Sequence, residues 1–159
     1  MSIRIGHGYD AHRFCVGRNL ILGGVDIDFE KGLIGHSDAD VLTHAVMDAL
    51  IGAMSLGDIG KHFPDSDKTL EGISSLELLR KVYALMSQCG YELVNLDATV
   101  IIQRPKIAKY IPEMTKNIAD LLKADLSCVN IKATTEEGLG FTGTGEGAAA
   151  HAVVLLEKK

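Results

Sequence analysis

Two adjacent glycines restrict the fold of this chain more than any other feature of its sequence. Gly23 and Gly24 separate two short runs with the pattern of β-strands, Leu20–Leu22 and Val25–Ile27. A Gly-Gly pair between such runs predicts a tight β-hairpin, because both residues can adopt the positive φ that this turn needs. Since a hairpin pairs its strands antiparallel, the chain cannot be built from parallel strands alone.

Predicted strands and helices alternate along the rest of the chain. Apolar patterning predicts strands over 3–12, 91–103, 129–135 and 148–156, and helices over 38–53, 75–89 and from 112 onward. The last strand is apolar on both faces, which predicts burial on both sides and, in a chain this small, a subunit interface. We expect an α+β fold in which residues 1–159 form a single domain, with a mixed β-sheet, helices packed on one face and the short β-hairpin.

The predicted helix ends carry their own signals. Ser37 or Asp38 is expected to cap the first helix, and Ser74 with Glu77 has the spacing of a capping box that opens the second. Gly90 stands where a glycine typically ends a helix. We therefore interpret this second helix as purely structural.

Composition excludes several kinds of function. The formal net charge is −5, whereas a protein that binds nucleic acid needs a basic surface. The three cysteines are far apart and support neither a disulfide framework nor a cysteine zinc site, and no apolar run reaches the ~18 residues of a membrane helix. With no leader pattern at its start, the chain is expected to be cytoplasmic, with reduced thiols.

Three residues have the chemistry of a metal site. Asp10 and His12 are two positions apart on a predicted strand, so their side chains project to one face, and His44 lies on a predicted helix. Two imidazoles and one carboxylate suit a zinc-like ion, and three protein ligands leave a fourth position open, as in catalytic sites. Spacing alone also allows an ordinary core histidine and a surface Asp-His pair.

Two further segments have the composition of anion sites. His36-Ser37-Asp38 precedes the helix that carries His44, where the helix dipole favours an anion, although helix capping alone also explains these residues. The segment Gly138-Leu139-Gly140-Phe141-Thr142-Gly143 matches a dinucleotide-binding motif by letter. It leads into a strand rather than a helix, so we reject that function. The loop is either a phosphate contact or a plain connector.

Acidic residues near these segments have two interpretations. Asp58, Asp65 and Asp67 lie in a predicted loop over 57–67, where they either form turns or bind substrate hydroxyls. Glu136 and Glu137 follow a predicted strand. Adjacent carboxylates suit Mg²⁺ held together with substrate phosphates, and ordinary surface acids are the alternative.

Five blocks of sequence, taken together, resemble one enzyme family. In chain order they are Gly6-His7-Gly8-Tyr9-Asp10-Ala11-His12, His36-Ser37-Asp38-Ala39-Asp40, Gly57-Asp58-Ile59-Gly60, Phe63-Pro64-Asp65, and Lys132-Ala133-Thr134-Thr135 with Gly140-Phe141-Thr142-Gly143. The pattern is similar to that of the 2-C-methyl-D-erythritol 2,4-cyclodiphosphate synthases, and it covers essentially the whole chain.

The resemblance implies a phosphorus-oxygen lyase of the non-mevalonate isoprenoid pathway. Such an enzyme converts 4-diphosphocytidyl-2-C-methyl-D-erythritol 2-phosphate into 2-C-methyl-D-erythritol 2,4-cyclodiphosphate and CMP, by attack of the 2-phosphate on the β-phosphate. The resemblance also implies a homotrimer with active sites between adjacent subunits. From the net charge and the absence of a long apolar run, we expect neither a nucleic acid nor a membrane as partner. This chemistry needs positioning and charge neutralisation but no nucleophilic side chain.

The resemblance also implies roles for individual residues. Asp10, His12 and His44 match the zinc ligands. Glu137 matches the ligand of a Mg²⁺ or Mn²⁺ ion that bridges substrate phosphates, while His36 and Thr135 match positions that stabilise the transition state. The implied substrate contacts are Asp10, His12, Ser37, Asp58, Ile59, Gly60, Phe63, Asp65, Ile102, Pro105, Lys106, Ile107, Ala108, Ala133, Thr134, Glu137 and Phe141. Among them, the segment 102–108 with Thr134 and Thr135 matches the cytidine site.

Two positions depart from the family pattern. Many members carry Arg where Thr144 stands and an acid where His151 stands. These positions line a central channel of the trimer, where an isoprenoid diphosphate has been proposed to bind. We therefore do not expect feedback regulation through that channel in this chain. A fused cytidylyltransferase domain is not expected in a chain of 159 residues.

Two other functions are left open by the residues themselves. A zinc-dependent phosphohydrolase of a nucleoside diphosphate would use the same three ligands and the same open fourth position. A non-catalytic module that binds a cytidine nucleotide or a metal ion would use these residues without turnover.

Overall fold

Residues 2–159, the part of the chain that this computed structural model describes, form seven β-strands and five α-helices. The strands are β1 (Ile3–Cys15), β2 (Leu20–Leu22), β3 (Val25–Ile27), β4 (Gly32–Leu33), β5 (Tyr91–Ile101), β6 (Val129–Thr134) and β7 (Gly147–Lys158). The helices are α1 (Val41–Ala53), α2 (Ile59–His62), α3 (Ser75–Gln88), α4 (Ile111–Leu122) and α5 (Gly140–Gly143). Short 3₁₀ turns lie at Lys68–Leu70, Ala108–Tyr110 and Leu126–Cys128.

The main sheet is mixed, as predicted. Its strand order is β4-β1-β7-β5-β6; β1 pairs antiparallel with β4 and β7, β7 pairs antiparallel with β5, and β5 pairs parallel with β6. The predicted hairpin is confirmed as a separate two-stranded sheet of β2 and β3. Gly23 and Gly24 have φ of 56° and 72°, the left-handed conformation that a tight turn needs at both positions.

Helices cover one face of the main sheet, also as predicted. Helix α1 packs against β1 and β7 on one side and against α3 on the other, which buries it almost all round. Helix α4 packs against α3 and β6. Among residues 2–159, no helix is both long and apolar enough to cross a bilayer.

The opposite face of the sheet is exposed in the single chain. Ile5 of β1 is 72% exposed and Val153 of β7 is 45% exposed, whereas Gly6, Ala152 and Val154 on the helix-facing side are buried. The expectation that β7 is buried along both faces is therefore wrong for one chain: Ala149 is buried on this side, but Val153 is exposed. Its role as a subunit interface stays a prediction.

Several predicted boundaries also change. Strand β1 continues past His12 to Cys15 because its end pairs with β4, and β5 ends at Ile101, before the predicted Gln103. The predicted loop over 57–67 contains the short helix α2, and the glycine-rich segment 138–143 contains α5. The predicted end of α3 is confirmed, with Gly90 at φ 75° just after the helix.

The cap of α1 is Asp40 rather than Ser37 or Asp38. The Asp40 carboxylate is buried and accepts the N–H of Thr43 at 3.0 Å, the bond expected of an N-cap residue. Ser74 caps α3 as predicted, but it accepts from Leu76, and Glu77 lies 3.5 Å from Arg80. The reciprocal bond of a capping box is therefore not formed.

Two glycines let β1 and α1 approach each other closely. A Cβ atom built on Gly8 would lie 1.9 Å from the carbonyl oxygen of Ala45, and one on Gly6 would lie 1.9 Å from that of Ala49. No side chain fits between strand and helix at these positions. The contact sets the position of the residues next to it, including His44 beside Ala45.

We predict that Gly8→Ala destabilises the protein by about 1–3 kcal/mol or more, because the added methyl group must push α1 away from β1. The measurement is urea-induced unfolding of the metal-free protein. Gly52→Ala is the matched control: it lies on the exposed side of α1, its Cβ would have 4.0 Å of clearance, and the change should stabilise the helix by up to about 1 kcal/mol. Equal stability of the Gly8→Ala and wild-type proteins would contradict the close-packing argument.

Candidate active site

Asp10, His12 and His44, named here the metal triad, converge as predicted. Asp10 and His12 project from the helix-facing side of β1, and His44 projects from α1 towards them. The Asp10 Oδ2 atom lies 2.8 Å from His12 Nε2 and 3.0 Å from His44 Nδ1. Candidate ligand atoms from all three residues lie within 4.8 Å of one another.

The geometry of the triad fits a divalent metal ion. The two imidazole nitrogens are 3.2 Å apart, the separation expected when both bind one ion at about 2.0–2.1 Å. A carboxylate oxygen completes three ligands on one side, while the other side faces a cavity. The donor set is that of ions such as zinc, and the open side leaves room for a further ligand.

Charge within the triad is balanced. Burial raises the pKa of Asp10, but hydrogen bonds and charges from His12 and His44 outweigh burial and hold that pKa at about 2. Burial lowers the pKa of His44, but the hydrogen bond to Asp10 and the nearby negative charges of Asp10, Asp40 and Asp38 together outweigh burial, so the pKa lies above the usual 6.5. Asp10 is therefore ionised at neutral pH, and a metal ion must displace a proton that His44 holds more firmly than a free histidine does.

The inner side of His44 contacts two hydroxyl groups. His44 Nε2 lies 2.9 Å from Ser75 Oγ and 3.1 Å from Ser37 Oγ. Ser75 is the first residue of α3, so this helix, predicted to be purely structural, also contacts a residue of the triad. Its pattern in the sequence is that of any helix start, and only packing of α3 on α1 brings it to the triad.

A cavity of about 420 Å³ opens beside the triad. Its walls include the triad and several residues predicted as substrate contacts or catalytic groups, together with Gly35, Leu70 and Leu78. The predicted residues on its walls besides the triad are His36, Ser37, Ile59, Gly60, Phe63 and Asp65. The structure thus brings together six positions from three separate sequence blocks.

The wall formed by residues 35–38 is held by contacts that the sequence did not reveal. Arg18 donates to the carbonyl oxygens of Gly35 and Ser37 at 2.7 and 2.5 Å. His36 Nε2 donates to the Asp67 carbonyl at 2.9 Å, since a carbonyl can only accept. No local pattern marks Arg18, because its partners lie on a different segment.

The predicted anion site at the start of α1 needs correction. The helix begins at Val41 and Asp40 caps it, so Ser37 does not lie at the helix N-terminus. Ser37 Oγ instead contacts His44 directly, at 3.1 Å. Ser37 therefore lies on the cavity wall in contact with the triad, and not on the axis of α1 at its N-terminal end.

Two of the three loop aspartates form turns. Asp58 caps α2 by accepting the N–H of Lys61 at 2.9 Å, and Asp67 accepts the N–H of Thr69 at 2.9 Å. The turn-forming interpretation is confirmed for both. Neither lines the cavity, whereas Asp65 does.

A second group of predicted residues lies outside this cavity, where β5 and β6 end. Ile102 donates its N–H to the carbonyl oxygen of Thr134 at 3.0 Å, which places segments 102–108 and 133–137 side by side. The group comprises Ile102, Pro105, Lys106, Ile107, Ala108, Ala133, Thr134, Thr135, Glu137 and Phe141. Two further strands of the sheet, β5 and β7, separate β6 from β1, a distance of about 14 Å. Within one chain none of the second group lines the triad cavity, and only Phe141 comes near the triad, in a small pocket that it shares with His12.

The two adjacent glutamates differ in their surroundings. The Glu136 carboxylate accepts a hydrogen bond from the hydroxyl of Thr142, while Glu137 is exposed and has a positive φ of 51°. Phe141 is 42% exposed, and Thr134 and Thr135 are exposed as well. This edge of the molecule therefore presents a carboxylate, two hydroxyls and an aromatic ring to its surroundings.

Both residues that depart from the family pattern make hydrogen-bond contacts within the chain. His151 Nδ1 lies 3.0 Å from His7 Nε2 on the exposed face of the sheet. Thr144, the other departure, follows α5, and its hydroxyl donates to the Gly140 carbonyl at 3.1 Å.

These features define the class of the protein: a single-domain α+β chain with a mixed sheet and a three-ligand candidate metal site at the wall of a cavity. The chain belongs to the YgbB family, whose model matches residues 3–157.

Relatives and solved structures agree with this assignment. The chain is 60% identical over 157 residues to the 2-C-methyl-D-erythritol 2,4-cyclodiphosphate synthase of Geobacter metallireducens, covering 99% of this chain and 100% of that one. It matches the bifunctional IspDF of Campylobacter jejuni with a TM-score of 0.95 at 43% identity, over 99% of this chain and 43% of that chain. It matches IspF of Plasmodium falciparum, solved as a CDP complex, with a TM-score of 0.87 at 35% identity over 99% and 97%.

We predict that His44→Ala abolishes tight binding of Zn²⁺ while leaving the fold intact, because two remaining ligands hold the ion weakly and the core of α1 is otherwise unchanged. The measurements are bound zinc by elemental analysis after loading and desalting, and circular dichroism of the same samples. His62→Ala, which removes an imidazole bonded to the Leu56 carbonyl and outside the triad, should keep the zinc. A His44→Ala protein that retains zinc would refute the assignment of the triad.

Proposed function

We propose that this protein converts 4-diphosphocytidyl-2-C-methyl-D-erythritol 2-phosphate into 2-C-methyl-D-erythritol 2,4-cyclodiphosphate and CMP, in the non-mevalonate isoprenoid pathway. One observation carries the proposal: the metal triad and six other predicted site residues line one cavity, in a chain that is 60% identical over its length to a named synthase. The CDP complex of the Plasmodium relative supports a cytidine diphosphate-linked ligand.

The reaction itself demands little covalent chemistry from side chains. An oxygen of the 2-phosphate attacks the β-phosphorus and forms the new bond, the bond from that phosphorus to the bridging oxygen of the α-phosphate breaks, and CMP leaves with the electron pair. The attacking phosphate is already anionic, so no general base is needed. The protein contributes positioning, worth an effective molarity of about 10⁵ M or more, and charge neutralisation.

We assign the metal sites as follows. Asp10, His12 and His44 hold Zn²⁺, and Glu137 holds Mg²⁺ or Mn²⁺ together with substrate phosphates. When bound, the two ions supply Lewis acidity at the β-phosphate and neutralise charge on the leaving CMP. The ionised Asp10 carboxylate and the fixed orientation of His44 between Asp10 and Ser75 support the first assignment.

Other residues bind and orient the substrate. The Ser37 hydroxyl, next to the triad, contacts a phosphate. His36, on the cavity wall, stabilises charge in the transition state together with Thr135. The methylerythritol contacts are Asp58, Ile59, Gly60, Phe63 and Asp65. The cytidine contacts are Ile102, Pro105, Lys106, Ile107, Ala108, Ala133 and Thr134, with Phe141 as a further substrate contact.

The activity test is incubation of the purified protein with this substrate, Zn²⁺ and Mg²⁺, followed by ³¹P NMR. We expect CMP and the cyclic diphosphate in equal amounts, because the two products arise in one step. A linear phosphate product would favour the zinc-dependent phosphohydrolase instead. Cytidine nucleotide binding without any turnover, at any metal concentration, would favour the non-catalytic module.

We also propose a homotrimer with each site between adjacent subunits. No residue of the second group lines the triad cavity within one chain, and exposed apolar side chains are available for a subunit contact. They are Ile3, Ile5, Tyr9 and Val153 on the open sheet face and Leu139 and Phe141 on the loop. Contiguous exposed apolar surface of this kind typically marks an interaction site.

Co-expression of two inactive variants tests the shared site. His44→Ala damages the triad and Glu137→Ala damages the second group, so random mixing in a trimer should restore about one quarter of the sites. Light scattering of the wild type should give the mass of three chains. Zero activity in the mixed sample, with both variants present in one oligomer, would show that each site lies within a single chain.

Two further proposals concern the chain as a whole. The family match runs without interruption over residues 3–157, which supports one synthase domain over residues 1–159. Cys15, Cys89 and Cys128 are free thiols, which supports a reducing compartment such as the cytoplasm.

A further inference from the structure

A histidine that binds a metal ion through one ring nitrogen must carry its proton on the other. His44 turns Nδ1 towards Asp10 and His12, so this is the nitrogen available to an ion. Its Nε2 atom points the other way, to Ser75 Oγ at 2.9 Å. The hydrogen-bonding state of Ser75 therefore bears on which nitrogen of His44 is free to bind.

The direction of the hydrogen bonds around Ser75 follows from Asp38. The Ser75 hydroxyl lies in a short hydrogen bond with Asp38 Oδ1, and an ionised carboxylate can only accept. The hydroxyl has one proton, which it donates to Asp38. Ser75 Oγ is then left as an acceptor towards His44, so His44 Nε2 must be the donor, and Nδ1 is the nitrogen that a metal ion can bind once it displaces the proton facing Asp10.

Ser75 and Asp38 are held firmly in these roles. Ser75 is completely buried, and its backbone N–H donates to the second oxygen of Asp38 at 2.9 Å. The N–H of Asp38 in turn donates to the carbonyl oxygen of Ile73 at 3.1 Å, and Asp38 Oδ1 also accepts the N–H of Asp40 at 3.2 Å. The carboxylate therefore has little freedom to release Ser75.

We propose that Ser75, oriented by Asp38, is a positioning residue that sets the tautomer and ring orientation of His44 and thereby the affinity of the triad for its metal ion. This inference rests on the proposal that the triad holds a divalent metal. It gives the first turn of α3 a part in the site, although no atom of α3 belongs to the triad. Ser37, at 3.1 Å from the same nitrogen, borders the cavity and is a weaker second acceptor.

The expected effect is a loss of metal affinity without loss of fold. Removing the hydrogen-bond partner of a metal-binding histidine typically weakens binding 10–100-fold. We expect Ser75→Ala to weaken Zn²⁺ binding by about tenfold or more, because Ser37 replaces the lost acceptor only in part. The probe is Zn²⁺ itself, titrated into metal-free full-length protein in competition with a chromophoric chelator.

Ser74→Ala is the matched control. Ser74 is the neighbouring residue and caps the same helix through the N–H of Leu76, but it makes no contact with His44. Its loss should cost about 1 kcal/mol of stability and leave zinc affinity unchanged. A purely structural role of Ser75 predicts the same outcome for both variants, namely lower stability with unchanged affinity.

A second readout follows the proton directly. In zinc-loaded wild type and Ser74→Ala, the Nε2–H of His44 should give an imidazole proton signal by NMR, protected by its hydrogen bond. In Ser75→Ala that signal should broaden through exchange with water. Should Ser75→Ala fail to fold, Asp38→Asn tests the same path. Ser75 donates its N–H and its O–H to different oxygens of Asp38, and the amide keeps an acceptor at only one of these positions, so zinc affinity should again fall several-fold.

The inference is overturned if a folded Ser75→Ala protein binds Zn²⁺ as tightly as wild type, if Ser74→Ala weakens binding equally, or if Asp38→Asn leaves the affinity unchanged. These results are separable from the proposed function. A wild-type protein that binds zinc through the triad and shows the Ser75 effect, yet forms no cyclic product, would overturn the function and keep the inference.

Discussion

The close contact between the backbones of β1 and α1 is the constraint on which the rest of the site depends. Gly6 and Gly8 place no side chain between strand and helix, and a Cβ on either would come within 1.9 Å of a helix carbonyl oxygen. Asp10 and His12 continue the same face of β1, just beyond the contact, and His44 precedes the helix residue that Gly8 touches. The triad can therefore close to 2.8–3.2 Å because the two elements approach without intervening side chains.

A polar stripe on the otherwise buried helix α1 organises the elements around the cavity. Asp40 accepts the N–H groups of Gly23 and Gly24 at 3.0 and 2.8 Å, which anchors the hairpin turn. One turn later His44 meets α3, and one turn later again Asp48 accepts the N–H of Ile59 at 3.0 Å, which anchors α2. Spacing of four residues repeats one helix face, so a single stripe positions three separate elements. Each buried acceptor is satisfied by a backbone or side-chain donor, which makes the arrangement stable in a low-dielectric interior.

Much of the fold and the triad followed from local patterns, and the errors share one cause. The Gly-Gly hairpin, the cap at Ser74 and the helix stop at Gly90 are decided by residues near in sequence, and all three were predicted correctly. Ser37, Asp38 and Asp40 offer three capping side chains within four residues, and local chemistry cannot choose among them. Asp40 becomes the cap because its carboxylate also accepts the N–H groups of the hairpin turn. Asp38 is instead hydrogen-bonded to Ser75, and Ser37 to His44. Ser75 and Arg18 were missed because their partners are distant in the chain.

The sequence by itself determined which side chains share a face: Asp10 with His12 on β1, and Asp40, His44 and Asp48 on α1. Those periods, two residues in a strand and 3.6 in a helix, are properties of the backbone and need no knowledge of the fold. Only the tertiary structure decided which faces meet and which stay exposed. It joined the triad to Ser75 of α3 and placed the 102–108 and 133–137 segments away from the cavity. It also left part of one face of β7 exposed. These outcomes depend on long-range packing that no local pattern encodes.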